Sequence, residues 1–166
     1  MNKQEVLTEL LQYHTVIERF NYSFAVEWAM YLLEQGNTND DILMLASFSE
    51  PIDSFEIQPY LSRALTSMNL NQKQDKDTGL LLLATYYILD ILDNNNIISN
   101  LQKIESLYFD TKFSNKLTPF LSLYYAWGDL DNNMDNYSYP EATLDNIESI
   151  VKREAKLFID TVYNTL

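Results

Sequence analysis

Apolar residues recur along this chain at intervals of three and four, the spacing that keeps one face of an α-helix turned toward a core. Val6, Leu10, Leu11, Tyr13 and Ile17 follow it. So do Phe24, Trp28, Tyr31 and Leu32, and later Ile147, Ile150, Val151, Phe158 and Ile159. Glycine and proline are scarce, three and four in 166 residues, which favours long helices over many short strands. The pattern predicts an all-α fold: one compact domain over residues 1–166, with about six to seven helices in antiparallel pairs.

Local signals place the elements. A first helix is expected over residues 3–19 and a second from Ser23 to Gly36, whose left-handed conformation closes a helix cheaply. Thr38 is read as the cap of a short helix carrying Ile42, Leu43, Leu45 and Ala46. Asp53 with Glu56 forms a capping-box variant for a helix running to about Met68. Pro59 is awkward there and argues for a late start, near Glu56 or Ile57, or for a kink. The polar run 69–77 connects to a long helix over 78–93, closed by Asn94, Asn95 and Asn96. Ser99 and Gln102 make a second capping box, for a helix reaching Lys112. Pro119 sits near the start of the next helix and Gly128 near its end. Residues 129–141 read as a loop, and the last helix starts at Thr143. Trp28 and Leu32 are echoed by Ile88 and Leu92, a hint of paired helices.

Charge changes the picture most. The formal net charge is −13, and it is unevenly spread. Between Arg19 and Arg63 stand Glu27, Glu34, Asp40, Asp41, Glu50, Asp53 and Glu56, with no Lys or Arg. Between Lys116 and Lys152 stand Asp129, Asp131, Asp135, Glu141, Asp145 and Glu148, again with no base. These two windows hold the whole excess; elsewhere acids and bases balance. A field of one sign steers oppositely charged partners and repels nucleic acid, so DNA and RNA are excluded as direct ligands. Several of these acids stand where helix starts and loops want them, and acidity alone aids solubility.

Chemistry for catalysis is thin. There is no cysteine and a single histidine, His14, which excludes thiolate sites and the histidine-pair zinc and di-iron motifs. No GxSxG elbow, GxxxxGK[ST] loop or GxGxxG turn occurs. Asp129, Asp131, Asn133 and Asp135 approach a calcium-loop spacing, but Met134 and Pro140 stand where such a loop needs Gly and Glu. No metal and no cofactor is expected. Trp28, Trp127, Tyr86-Tyr87 and Tyr124-Tyr125 suit a core or an aromatic-lined ligand pocket. The start of the chain lacks a secretory pattern. Leu80–Leu89 is too short to span a membrane, so a cytoplasmic protein without membrane contact is expected.

The stretch AVEWAMYLLEQGNTNDDILMLASFSEPIDSFEIQPYLSRAL, with LTPFLSLYYAWGDLDN and IESIVKREAKLFI, resembles a group of small helical bacterial proteins. Their pattern is a helix with WA and paired Leu, then Gly, a short LA helix and a Phe-Glu helix start. The resemblance covers residues 24–160 and departs in the loop 132–141. It implies a compact helical domain of bacterial origin and carries over no catalytic residue. The expected function is an interaction domain, in concrete form an immunity-type protein that docks a basic partner such as a toxin. Its contacts are expected at Asp40, Asp41, Glu50 and Asp53, and at Asp129, Asp131 and Asp135. The alternative is a ligand-binding or regulatory domain with an aromatic-lined pocket. An enzyme ranks last, and the oligomeric state is open.

Overall fold

Capping groups fix most of the helix boundaries. The computed structural model describes residues 2–112 and 114–161 of the chain. It contains eight α-helices and no strand among the described residues: α1 (Lys3–Leu11), α2 (Ser23–Glu34), α3 (Asp40–Ser47), α4 (Ser54–Ser67), α5 (Lys76–Leu92), α6 (Ile97–Asp110), α7 (Ser114–Asp131) and α8 (Ile147–Thr161). The all-α expectation holds, with slightly more helices than expected. The chain gathers into two compact units, Met1–Gly79 and Leu80–Leu166. Within the first, α1 packs on α2, α2 on α3 and α3 on α4; within the second, α6 packs on α7 and α7 on α8. No described helix is long and apolar enough to cross a membrane.

Side chains of Asn2, Asn39, Asp53 and Asp75 accept from backbone N–H groups of the first turns of α1, α3, α4 and α5. Each satisfies donors that the helix itself cannot. Asn39, not Thr38, therefore caps α3, and Asp75 starts α5 two residues before the expected position. The helix ends share a second device. At Gly36, Asn69, Asn94 and Asn133 the backbone turns left-handed, with φ of 87°, 59°, 62° and 54°. Each position then closes the paired bonds of a Schellman motif. Asn37 N–H donates to Leu32 O and Gly36 N–H to Leu33 O, both at 2.9 Å. Met134 N–H donates to Asp129 O at 2.8 Å and Asn133 N–H to Leu130 O at 3.1 Å. Asparagine does the work of the missing glycines, because its short amide tolerates this region better than other side chains.

Several expected boundaries move. The first helix stops at Leu11, because Thr15, Val16 and Ile17 form a β-branched run that opposes helix. Residues 12–19 turn instead through bonds such as Tyr13 N–H to Leu10 O at 2.9 Å, with Arg19 at φ 54°. Helix α4 starts at Ser54 with Pro59 inside it, not late. Phe55, whose carbonyl loses its donor to Pro59, is 85% exposed, a position open to solvent where the loss is cheapest. Ser99 and Gln102 lie within α6 and do not cap it; the helix begins after the left-handed Asn96. Buried Asn100 secures this junction, donating to Asp90 Oδ2 at 2.8 Å and to Asn95 O at 2.9 Å. Pro119 is interior to α7, and that helix runs on to Asp131 where a loop from 129 was expected. Helix α8 starts at Ile147, after a turn in which Ile147 N–H donates to Thr143 O at 2.9 Å.

The core of the first unit is built from the apolar stripes of its helices. Leu7, Leu10 and Leu11 of α1, Trp28 of α2, Ile42 and Leu45 of α3, and Leu61 and Leu65 of α4 are all essentially unexposed. Trp28 Nε1–H donates to Thr8 Oγ1 at 3.0 Å, so the indole is buried with its polar atom satisfied. That places Trp28 in the core and removes it from any ligand pocket. Gly79 completes the unit: a Cβ there would stand 2.9 Å from Tyr13 Cβ, so only glycine permits this approach. In the second unit Leu81, Ile88 and Ile91 of α5 are buried, as are Leu101 and Ile104 of α6, Phe120 and Leu123 of α7 and Val151 of α8. The Phe120 and Phe158 rings meet edge to face, with centroids 5.8 Å apart.

Candidate docking surface

Helix α3 sets the first acidic residues. Asp40 and Asp41 occupy its first turn, where the positive end of the helix dipole favours them. Arg63 of α4 donates to Asp41 Oδ1 through Nε at 2.9 Å and Nη2 at 2.8 Å, while lying 4.7 Å over the Tyr60 ring. Asp41 is thus compensated across the α3–α4 contact by the residue that bounds the acidic window in sequence. Asp40 is exposed and meets no base among the described residues. Asp53 is spent on capping α4, and Glu50 Oε2 accepts from Ile52 N–H at 3.3 Å in the loop between α3 and α4. Both remain exposed.

In the second unit Asp129 and Asp131 lie in the last turn of α7, and Asp135 in the loop beyond, where Tyr137 Oη donates to its Oδ2 at 3.2 Å. The calcium-like spacing therefore straddles a helix end, and residues two apart on a helix do not face one another. No group of three or more His, Asp or Glu able to hold a metal ion occurs among the described residues. Asp129 and Asp131 stand where the dipole is unfavourable to acids. The same is true of Glu9 in α1, Glu34 in α2, Asp90 in α5 and Asp110 in α6, and none of these helices carries a base in its last turn. Each such placement costs about 0.3–1 kcal/mol at low ionic strength.

A groove of about 430 Å³ opens in the first unit between α2 and the loop that follows α3. Its lining includes the apolar side chains of Val26, Met30, Phe48 and Ile52, and Met30 is 53% exposed. Tyr60 steadies Phe48, ring centroids 5.9 Å apart. Three carboxylates, Glu27, Glu34 and Glu50, also line the groove, and no Lys or Arg does among the described residues. Of the seven expected contact residues only Glu50 reaches this groove. Glu27 and Glu34 were not singled out, although their positions three before and four after Met30 give a single helix face that the sequence itself displays.

A second hollow in the same unit, of about 500 Å³, is lined by His14, Arg19, Phe20, Tyr22, Ser54 and Gln58 among others. None of the aromatic residues marked in the sequence lines it. His14 is 2% exposed and lies in a hydrogen-bonded chain: Gln72 Nε2 donates to its Nε2 and its Nδ1 donates to Tyr22 Oη, both at 3.3 Å. Burial lowers the imidazole pKa from 6.5 to about 4, so the ring is neutral near pH 7. His14 is a satisfied core group. No family model, curated protein or solved structure matches the chain.

Proposed function

We propose that the protein is a non-catalytic interaction domain of the cytoplasm that docks a basic protein, in the manner of an immunity protein neutralising a toxin. The supporting observation is where its acids stand. Capping accounts for Asp53 and the first turn of α3 for Asp40, but nothing local favours Glu34, Asp129 or Asp131 at helix C-termini. Glu34 and Asp131 are exposed and Asp129 is half-buried, none pairs with a base among the described residues, and together they leave a negative field unspent within the fold. That field accelerates encounter with a cationic surface and penalises acidic competitors.

Immobilised protein challenged with lysate of its native host tests this reading. A basic protein should be retained at low salt, leave as ionic strength rises, and be lost from an Asp40→Asn, Glu50→Asn, Asp53→Asn variant. Retention of the same proteins by that variant would refute acidic docking through this window. The hollow beside Arg19, Phe20 and Tyr22 favours a second reading, a small-ligand domain. Native mass spectrometry showing a copurified small molecule would support that instead.

A further inference from the structure

We infer that the hollow lined by Arg19, Tyr22, Ser54 and Gln58 binds a small organic oxyanion, a carboxylate or a phosphate, whose apolar body lies against Ile17 and Phe20. This rests on the small-ligand reading, gives it a ligand chemistry, and is independent of acidic docking. The direction of a hydrogen-bond chain carries the inference. The Gln72 amide donates to His14 Nε2, which leaves the imidazole proton on Nδ1, and Nδ1 donates to Tyr22 Oη, both at 3.3 Å. Burial raises the Tyr22 pKa, and a hydrogen bond from Gln58 offsets part of that rise, so this amide donates to Oη as well. The Tyr22 oxygen thus receives N–H donors and keeps its own proton to offer to the hollow. Tyr22 is only 7% exposed, and a hydroxyl so buried is costly to leave without an acceptor. The chain is polarised one way, from Gln72 toward the hollow, and an acceptor completes it. Charge makes that acceptor an anion. Among the described residues Arg19 is the one charged side chain in the lining, and no Asp or Glu joins it. Arg19 is exposed and donates no hydrogen bond to another described residue. The acids next to the lining in sequence are engaged elsewhere, Glu18 by Lys76 Nζ at 2.7 Å and Asp53 by Phe55 N–H at 2.8 Å. A guanidinium fork with hydroxyl donors from Tyr22 and Ser54 matches the oxygens of a carboxylate or phosphate. At about 500 Å³ the hollow exceeds a bare ion, and Ile17 and Phe20 supply apolar wall for the remainder.

Amide NMR titrations of the intact chain test this, with phenyl phosphate and benzoate as anionic probes and benzyl alcohol as the neutral control. At least one anion should saturate and shift the amides of Arg19, Tyr22 and Ser54, and the tighter of the two identifies the ligand as a phosphate or a carboxylate. Benzyl alcohol should leave those amides in place. Arg19→Gln and Tyr22→Phe should each weaken the anion about tenfold. Arg63→Gln removes another exposed charge of the same unit, outside the hollow, and should leave the affinity unchanged. Circular dichroism verifies that each variant is folded, and Arg19, being exposed, keeps the test open should Tyr22→Phe unfold. If neither anion shifts these amides, if benzyl alcohol binds as tightly, or if Arg19→Gln and Arg63→Gln bind alike, the inference falls. A neutral or cationic molecule copurifying in native mass spectrometry would overturn the ligand class and leave the small-ligand reading standing. Failure of the anions together with an empty mass spectrum would end both.

Discussion

His14 shows how the fold decides between two placements, core or solvent, that the sequence leaves open for one residue. In the sequence it is the only imidazole and reads as structural rather than catalytic; in the fold both its nitrogens are bonded and its ring lies within the aromatic cluster of Phe20 and Tyr22. Its folded pKa of about 4 lies below the unfolded value of 6.5, so the unfolded chain binds the proton more tightly between the two. The contribution of the neutral ring is complete above pH 6.5 and is lost as pH falls toward 4. It amounts to about 3 kcal/mol at most. Urea unfolding from pH 7.5 to 4.5 should show that decline, and His14→Gln should flatten the part of it due to this residue. An unchanged slope in the variant would mean that His14 is protonated without strain. Glu34 is the opposite case: a residue that reads as an ordinary surface acid becomes, with Met30, part of a groove wall.

At the scale of elements, helical periodicity was legible throughout, while helix ends were legible only where a side chain caps. Asp53 could be read because its carboxylate bonds the first turn of α4. The end of α7 could not, since the apolar pattern fades before Asp131 and a Schellman turn at Asn133 closes it. Of the asparagines that looked like a breaker, Asn94 is a C-terminal cap in left-handed geometry, as Asn69 and Asn133 are elsewhere, while Asn96 stands at the start of α6. Asn69→Gly and Asn133→Gly should each raise stability, by up to about 1 kcal/mol, because glycine removes the Cβ cost at positive φ. Alanine at the same positions should lower it by about as much. Thermal melts of the four variants check this, and equal melting temperatures would deny the helix ends their proposed role. Pro59 and Pro119 add a second lesson: proline inside a helix is tolerated where the carbonyl four residues earlier belongs to an exposed residue, as for Phe55 and Asn115.

Across the whole molecule, the sequence disclosed the charge imbalance but not its arrangement. Asp41 and Arg63 are 22 residues apart and pair only because α3 packs on α4. The groove likewise depends on a tertiary approach of α2 to the loop around Glu50. The acids at helix C-termini make a whole-molecule claim measurable, because stability and binding are expected to oppose one another there. Asp129→Asn with Asp131→Asn should raise stability by a few tenths of a kcal/mol by relieving the dipole of α7. A fall in melting temperature at low salt would show that these carboxylates stabilise the fold rather than serve a partner.

The central claim is that exposed carboxylates draw in a basic protein. Its most direct test is the association rate with the partner recovered by salt elution, followed by stopped-flow fluorescence across a range of ionic strengths. For the intact protein the rate should fall steeply as salt rises, while dissociation changes little. The Asp40→Asn, Glu50→Asn, Asp53→Asn variant should associate more slowly at low salt and depend on salt more weakly. An association rate that ignores ionic strength, or is the same in both proteins, would contradict the account.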